Sequence, residues 1–225
     1  MANSFLFSRD IPRGVTAIIG SGGKTTLLHT VGRALSRAGR VALCASAKMY
    51  AYTDIPVLVS PTQSEIARAF ANAPLLQIGD SVQGDKLTLS ATPLAWLIDA
   101  ADYVLVEADG SAGLPLKAHA AHEPPLPQEM ALCIQVVGID GIGKPVKTAA
   151  HRPERYAQLL QTDIDHIVTP ADAARVIMLE GYADMVFINK VETGEQAHMA
   201  RLLAAQLNIP VAVGAFKKGE TVCWL

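Results

Sequence analysis

VTAIIGSGGKTTLLHTVGRALSRAGRVALCAS, residues 15–46, carries three signals in a row. Val15 to Gly20 is a short apolar run rich in β-branched residues, the pattern of a buried strand. From Lys24 to Ala38, Leu27, Leu28, Val31 and Leu35 recur at helical spacing on one face, and Gly39 stands where a helix stop is expected. Val41 to Ser46 is a second buried strand. A strand–helix–strand unit with uninterrupted apolar strands implies a parallel sheet.

Downstream the alternation continues. Val57 to Val59 is a short strand, and Ser60-Pro61-Thr62-Gln63 predicts a helix start with Ser60 as N-cap, Pro61 in the first helical position and Gln63 closing a capping box. Leu75 to Ile78 and Leu87 to Leu89 flank Gln83-Gly84-Asp85 and resemble a hairpin, and a helix carrying Trp96 and Leu97 inward begins near Thr92-Pro93. Further strands are predicted at Tyr103–Val106, Leu132–Val137, Met185–Ile188 and Val211–Val213. Helices are predicted over Arg152–Gln161 and Thr169–Leu179, and a last one, capped by Thr193 and Gln196, ends near Asn208. The expectation is one α/β domain over residues 1–225, P-loop NTPase-like, with a mostly parallel sheet and helices on both faces. It carries an inserted hairpin near 75–90 and a long proline-rich loop near 110–128, and a loop of that length in a compact domain is more often functional than idle.

The chemistry gathers at strand ends. Gly20-Ser21-Gly22-Gly23-Lys24-Thr25-Thr26 lies between a buried strand and an amphipathic helix. Glycines let backbone N–H groups turn inward around an oxyanion, and the helix N-terminus favours negative charge at the same place. Lys24 reaches phosphates and the Thr25 hydroxyl suits Mg²⁺. The common GxxxxGK[ST] pattern needs glycine at position 18, which is Ile18, so the loop is the shorter GxxGKTT, similar to that of Mur-type ligases and some relatives of the SRP/MinD class.

Glu107 and Asp109 follow the strand YVLV, where ligands of doubly wound sheets collect. Both are candidate catalytic and metal-holding residues: Glu107 first for the metal and Asp109 for orienting the attacking group, with the reverse assignment open. Lys117, His119 and His122 form a polar cluster in the proline-rich segment, read as an acceptor-substrate or phosphate contact ahead of a metal site with Glu123, since the spacing lacks the helical geometry of zinc enzymes. Asn189-Lys190-Val191-Glu192 follows the strand MVFI and resembles the NKxD element by which GTPases read guanine, with Glu192 one methylene longer than the aspartate. Asn189 and Lys190 are therefore candidates for contacting the base of ATP or GTP.

Composition excludes other classes. A formal charge of −2 over 225 residues, with no basic run longer than Lys217-Lys218, argues against a nucleic-acid partner. No stretch reaches the roughly 18 apolar residues of a membrane span, and Met1 to Arg13 lacks the pattern of a signal peptide, so a cytoplasmic protein is expected. The three cysteines are dispersed, and Cys44 and Cys133 lie in apolar runs as small buried hydrophobes.

IIGSGGKTTLL, LVEADGSAGLPLKAHAAHEP, the HRPE element and FINKVE together resemble the YqeC family of selenium-dependent molybdenum hydroxylase accessory proteins. The resemblance runs over nearly the whole chain, and Glu107 to Pro124 is its most specific part, because generic NTPases do not carry it. Family members tend to have a threonine-rich run before Lys-Met, whereas Cys44-Ala45-Ser46-Ala47 precedes Lys48-Met49 here. The resemblance implies a role in maturing a labile selenium-containing cofactor, with a molybdenum cofactor or a hydroxylase as partner. It leaves open an NTP-using enzyme and a nucleotide-switched binding module.

Overall fold

The apolar run at residues 15–19 becomes the central strand of a large sheet, and everything the site needs hangs from its carboxyl end. A computed structural model describes residues 10–83, 86–89, 91–215 and 223–224. In chain order the elements begin β1 (Gly14–Gly20), α1 (Lys24–Leu35), β2 (Val41–Ala45), β3 (Met49–Tyr50), β4 (Val57–Val59), α2 (Gln63–Phe70), β5 (Leu75–Gln83), β6 (Lys86–Thr88), α3 (Leu94–Ala100) and β7 (Tyr103–Glu107). They continue with β8 (Leu116–Lys117), β9 (Met130–Gly138), α4 (Val146–Ala149), β10 (Ala150–His151), α5 (Pro153–Leu160), α6 (Pro170–Glu180), β11 (Met185–Asn189), α7 (Gly194–Ala204), β12 (Val211–Gly214) and β13 (Cys223–Trp224).

Among the described residues, eleven strands make one sheet in the order β13-β12-β11-β9-β1-β7-β2-β5-β6-β3, with β4 also paired to β5. The run from β12 to β5 is parallel, and antiparallel pairs occur only at the margins, at β12–β13, β5–β6 and β6–β3. This is the mixed α/β architecture with a mostly parallel sheet that the sequence predicts. Side chains alternate across β1: Ile18 packs with Leu27, Val31 and Leu43 under α1, while Val15, Ala17 and Ile19 pack with Ile66 and Leu97 under α2 and α3. Each fully buried Val, Leu or Ile among these stabilises the fold by about 1.5–3 kcal/mol. A third cluster, around Tyr156, Ile177, Ile188 and Leu203, seats α5, α6 and α7 on β9, β11 and β12.

Several details differ from the sequence reading. The second helix is capped by Thr62 with Glu65, not by Ser60 with Gln63. Ser60 still donates its N–H to Gly79 O (2.8 Å) and takes a left-handed φ of 49°, so the chain is committed to the sheet edge and helix starts two residues later. The last helix stops at Ala204; the N–H groups of Gln206 and Leu207 turn to carbonyls three residues back, as in a tightening final turn. Gly84 and Asp85 of the expected hairpin lie outside the described residues, while the strands flanking them pair antiparallel. The proline-rich stretch contains β8, which pairs in parallel with β10 as a separate two-stranded ribbon. Cys44 and Cys133 are buried, and burial pushes both thiols up to about 12.

Candidate functional site

At the end of β1 the backbone turns through Gly20, Gly22 and Gly23 with φ of 87°, 88° and 126°. Only glycine fits there. A Cβ on Gly22 would lie 2.3 Å from the Gly138 nitrogen, and one on Gly23 would lie 2.2 Å from Asn189 Nδ2. The loop is thus wedged against the ends of β9 and β11. Ser21 N–H donates to Val136 O (2.9 Å), its hydroxyl donates to Leu114 O, and Asn189 Nδ2 donates to Gly22 O (2.8 Å). Asn189, expected at a base, serves here to hold the glycine loop.

The first residues of α1 face the acidic end of β7, because β1 and β7 run in parallel register with Ile18 opposite Glu107. Thr25 Oγ1 donates to Glu107 Oε2 (2.8 Å). Lys24 is buried and curls back over its own loop: Nζ donates to Gly20 O (2.7 Å), lies 3.1 Å from Asp109 Oδ1 and 3.9 Å from Glu107 Oε1. The contact with Oδ1 is an ion pair without hydrogen-bond alignment. Burial pushes the Glu107 carboxyl up, against the opposing pull of the Lys24 ammonium and the Thr25 hydroxyl.

Asp109 is the keystone. Its Oδ2 accepts from Gly20 N–H (3.1 Å) and His119 Nε2 (2.8 Å) and lies 2.9 Å from Lys117 Nζ. Burial alone would raise this carboxyl, but the His119 hydrogen bond and the Lys24 and Lys117 ammoniums outweigh it and bring it down to about 2. His119 in turn bonds Glu180 Oε2 through Nδ1 (2.8 Å), and its backbone N–H donates to Glu180 Oε1 (2.6 Å). Burial disfavours the imidazolium, yet the two carboxylates prevail and raise the His119 pKa. Lys117 Nζ also reaches Gly110 O (2.5 Å) and Glu123 Oε2 (3.2 Å). Glu123 is held well down, at about 2, because Arg152 and Lys117 outweigh its partial burial. Arg152 adopts a left-handed conformation (φ 65°, ψ 63°) just before α5, a position costing a side-chain-bearing residue about 1–2 kcal/mol. Lys24, Lys117, Arg152 and the His119 ring therefore interlock with four carboxylates behind the loop, the pairing that buried charges require.

In front of the loop lies a cavity of about 730 Å³ lined by Gly22, Gly23, Lys24, Thr25, Thr26, Lys48, Tyr50, Glu107, the 110–113 turn, Asn189, Lys190, Glu192 and Ala215. The structure therefore brings the glycine loop, Glu107, Asn189 and Lys190 to one hollow. Lys190 also pairs with Asp140 (2.9 Å). Lys117, His119 and His122, expected to face an acceptor, do not line it: the first two are buried against carboxylates, and His122 is exposed elsewhere on the loop. Asp109 stands behind Lys24 rather than on the cavity wall, with its oxygens already engaged. Among the described residues no three His, Cys, Asp or Glu side chains are grouped to hold a metal ion by themselves, and no helix is long and apolar enough to cross a membrane.

Sequence reasoning missed Glu180. One signal existed: a carboxylate at the last position of a helix opposes the helix dipole, and such a residue needs a cation. It also missed Tyr52, whose hydroxyl donates to Thr25 O (2.8 Å) and ties the segment after β3 to the start of α1.

The YqeC protein family model matches residues 16–154, which run from the central strand through the glycine loop and the Asp109 keystone to the start of α5. The chain belongs to the YqeC family. It is also similar to "Uncharacterized protein YqeC" of Escherichia coli (strain K12), at 29% identity over 202 residues, covering 81% of this chain and 78% of that relative. The family match thus takes in both faces of the charge network except Glu180, which α6 adds from beyond it.

Proposed function

We propose that this protein binds Mg²⁺ with a nucleoside triphosphate, ATP or GTP, at the glycine loop, and that it uses the nucleotide in maturing the cofactor of a selenium-containing molybdenum hydroxylase. The observation that carries the nucleotide part is the loop itself: three left-handed glycines at the end of the central strand, opening into a helix whose first two side chains, Lys24 and Thr25, meet Glu107 in the cavity. Backbone N–H groups of residues 22–25 and the α1 dipole favour the phosphates, and Lys24 supplies the countercharge. Thr25 Oγ1 donates to Glu107 Oε2 (2.8 Å), which sets a hydroxyl and a carboxylate oxygen side by side, the hard oxygen donors that Mg²⁺ takes. These two residues would hold the metal, which supplies charge neutralisation for phosphoryl chemistry. Asp109 instead holds Lys24 and the Gly20 N–H in place. The strand order agrees with a P-loop NTPase fold, since the acidic strand β7 lies directly beside β1. The maturation part rests on family resemblance.

Calorimetric titration of Mg²⁺–ATP and Mg²⁺–GTP into wild type and Lys24→Ala tests the reading. Binding by wild type and its loss in the variant are expected, with an unchanged circular dichroism spectrum. Equal affinity in both proteins would overturn it. Complementation of a strain that lacks the protein, scored by hydroxylase activity, tests the maturation part; a Lys24→Ala protein that restores activity fully would remove nucleotide from that role.

One observation favours a second reading, a nucleotide-switched docking module. The chain of contacts from Gly20 through Asp109 and His119 ends at Glu180, beside Met178 and Leu179, which are 40% and 54% exposed. Displacement of Lys24 from Asp109 would thus be felt at an apolar patch on α6. Hydrogen exchange over residues 176–182 with and without Mg²⁺–nucleotide decides: unchanged protection discards the switch.

A further inference from the structure

The cavity has two wings. Thr25 and Glu107 mark its middle, between β1 and β7. On one side lie Asn189, Lys190, Glu192 and Ala215, at the ends of β11 and β12. On the other lie Lys48 and Tyr50, beyond the ends of β7 and β2. If Thr25 and Glu107 hold the metal at the end of a triphosphate, the terminal phosphate points toward the Lys48 side and the base toward β11 and β12, because Glu107 lies on the β2 side of the loop.

The Lys48 wing is built, not incidental. Lys24 and Lys190 are both paired with carboxylates, whereas Lys48, exposed on the cavity wall, has no carboxylate within ion-pair reach among the described residues. Tyr50 is 59% exposed, an unusual placement for an aromatic ring at a cavity wall. Its backbone is nevertheless fixed. The buried Gln77 donates from Nε2 to Tyr50 O (3.1 Å) and accepts Tyr52 N–H on Oε1 (2.7 Å), and Met49 is buried beside it. A buried glutamine is thus committed to presenting an exposed ring. Lys86, opposite Tyr50 in the β3–β6 pair, places its ammonium 5.0 Å from the ring centroid. On the wall of the same cavity, Ala112 and Gly113 take left-handed φ of 50° and 75°, and a Cβ on Gly110 or Gly113 would meet nothing within 4 Å, so this turn leaves space.

We propose that this wing, formed by Lys48, Tyr50 and the turn at residues 110–113, is a second ligand subsite for a flat, anionic ring compound that meets the terminal phosphate of the bound nucleotide. The inference rests on the nucleotide reading and deepens it. Tyr50 supplies a stacking face, and Lys48 an uncommitted cation for a carboxylate or phosphate on the second ligand. Lys86 behind the ring adds a second positive charge. Such a site would give the protein a second ligand beside the nucleotide.

The test uses pterin-6-carboxylate, a fluorescent fused-ring anion, titrated into the full-length protein at saturating Mg²⁺ and non-hydrolysable nucleotide. Nucleotide affinity is measured first on the same preparation. Absence of nucleotide binding there sinks the nucleotide reading and this inference with it. With nucleotide bound, the probe is expected to bind, and Lys48→Ala and Tyr50→Ala each to weaken it by about tenfold, while Tyr50→Phe, which keeps the stacking face, stays near wild type. Both side chains are exposed, so the variants fold. Nucleotide affinity stays within about twofold in the two Tyr50 variants, about 0.4 kcal/mol or less. Displacement of nucleotide by the probe, absence of probe binding, indifference to the substitutions, or a Tyr50→Phe loss equal to that of Tyr50→Ala overturns the second subsite alone.

Discussion

Two carboxylates two residues apart, Glu107 and Asp109, have opposite characters. Asp109 answers to two ammoniums, the His119 ring and a backbone N–H, so removing its charge strands Lys24, Lys117 and His119 in the interior. Asp109→Asn is expected to cost about 3 kcal/mol or more, read as a lowered urea midpoint, the usual consequence of breaking a buried pair from one side. Glu107 is disfavoured as an anion by its burial, so Glu107→Gln is expected to leave the urea midpoint nearly unchanged while weakening Mg²⁺–nucleotide binding more than metal-free binding. Equal loss of both nucleotide forms would make Glu107 a structural residue. The pH profile follows from the same contacts. Asp109 titrates below its ordinary 3.8, at about 2, so its stabilisation is complete above 3.8 and disappears as pH falls toward 2. His119 is raised, so its share is present below its ordinary 6.5 and fades as pH rises through its folded value. Thermal melts across this range should show two falling limbs, with His119→Gln flattening the alkaline one; an unaltered alkaline limb would assign that limb to other groups.

At the scale of elements, glycines of two kinds separate cleanly. Gly22→Ala would push a Cβ into the Gly138 backbone at a left-handed φ, and loss of nucleotide binding with a destabilisation of about 2 kcal/mol or more is expected. Gly194, at the start of α7, has open space around its missing Cβ and an ordinary φ, so Gly194→Ala is expected to stabilise by about 0.5 kcal/mol. Chemical denaturation of the two variants side by side checks both signs. The legibility of the sequence divides along similar lines. The strands of the parallel sheet and α1 were readable because their apolar periodicity is dictated by burial on two faces or one. Thr193 and Gln196 were readable as a cap because that signal is local. The true start of α2 was not, since Ser60 is held by Gly79 across the sheet, a contact without local trace. β3, β8 and β10 are two residues each, too short for any period to register. The glycine loop and Glu107 were legible as a pair from their strand-end context. The burial of His119 was not, because it depends on Glu180, more than a full helix away along the chain, and that of Lys117 was not, because the loop folds it inward onto Asp109 and Glu123.

The order of the sheet explains why one hollow collects residues from so many places. After β1 the chain moves to β2, β5 and back to β7 on one side, then crosses to β9, β11 and β12 on the other. The loop after β1 therefore sits where connections diverge, the usual ligand crevice of such sheets. A ligand there bridges both halves, so Mg²⁺–nucleotide at about one hundred times its dissociation constant should add about 2.7 kcal/mol to global stability. Thermal shift measures this, and Glu107→Gln should lose the portion that depends on Mg²⁺. Lys24 gives the last consequence. Its ammonium is already held by Gly20 O and Asp109, so a phosphate reaching the loop does not simply add a charge. It must draw the lysine away from Asp109 and Glu107, and the carboxylates left behind then need another cation. Orthophosphate brings none, whereas a magnesium triphosphate brings one with it. On the nucleotide reading the loop would act as an ion exchanger that trades a lysine for a metal, and orthophosphate at cellular levels is expected to leave it largely untouched.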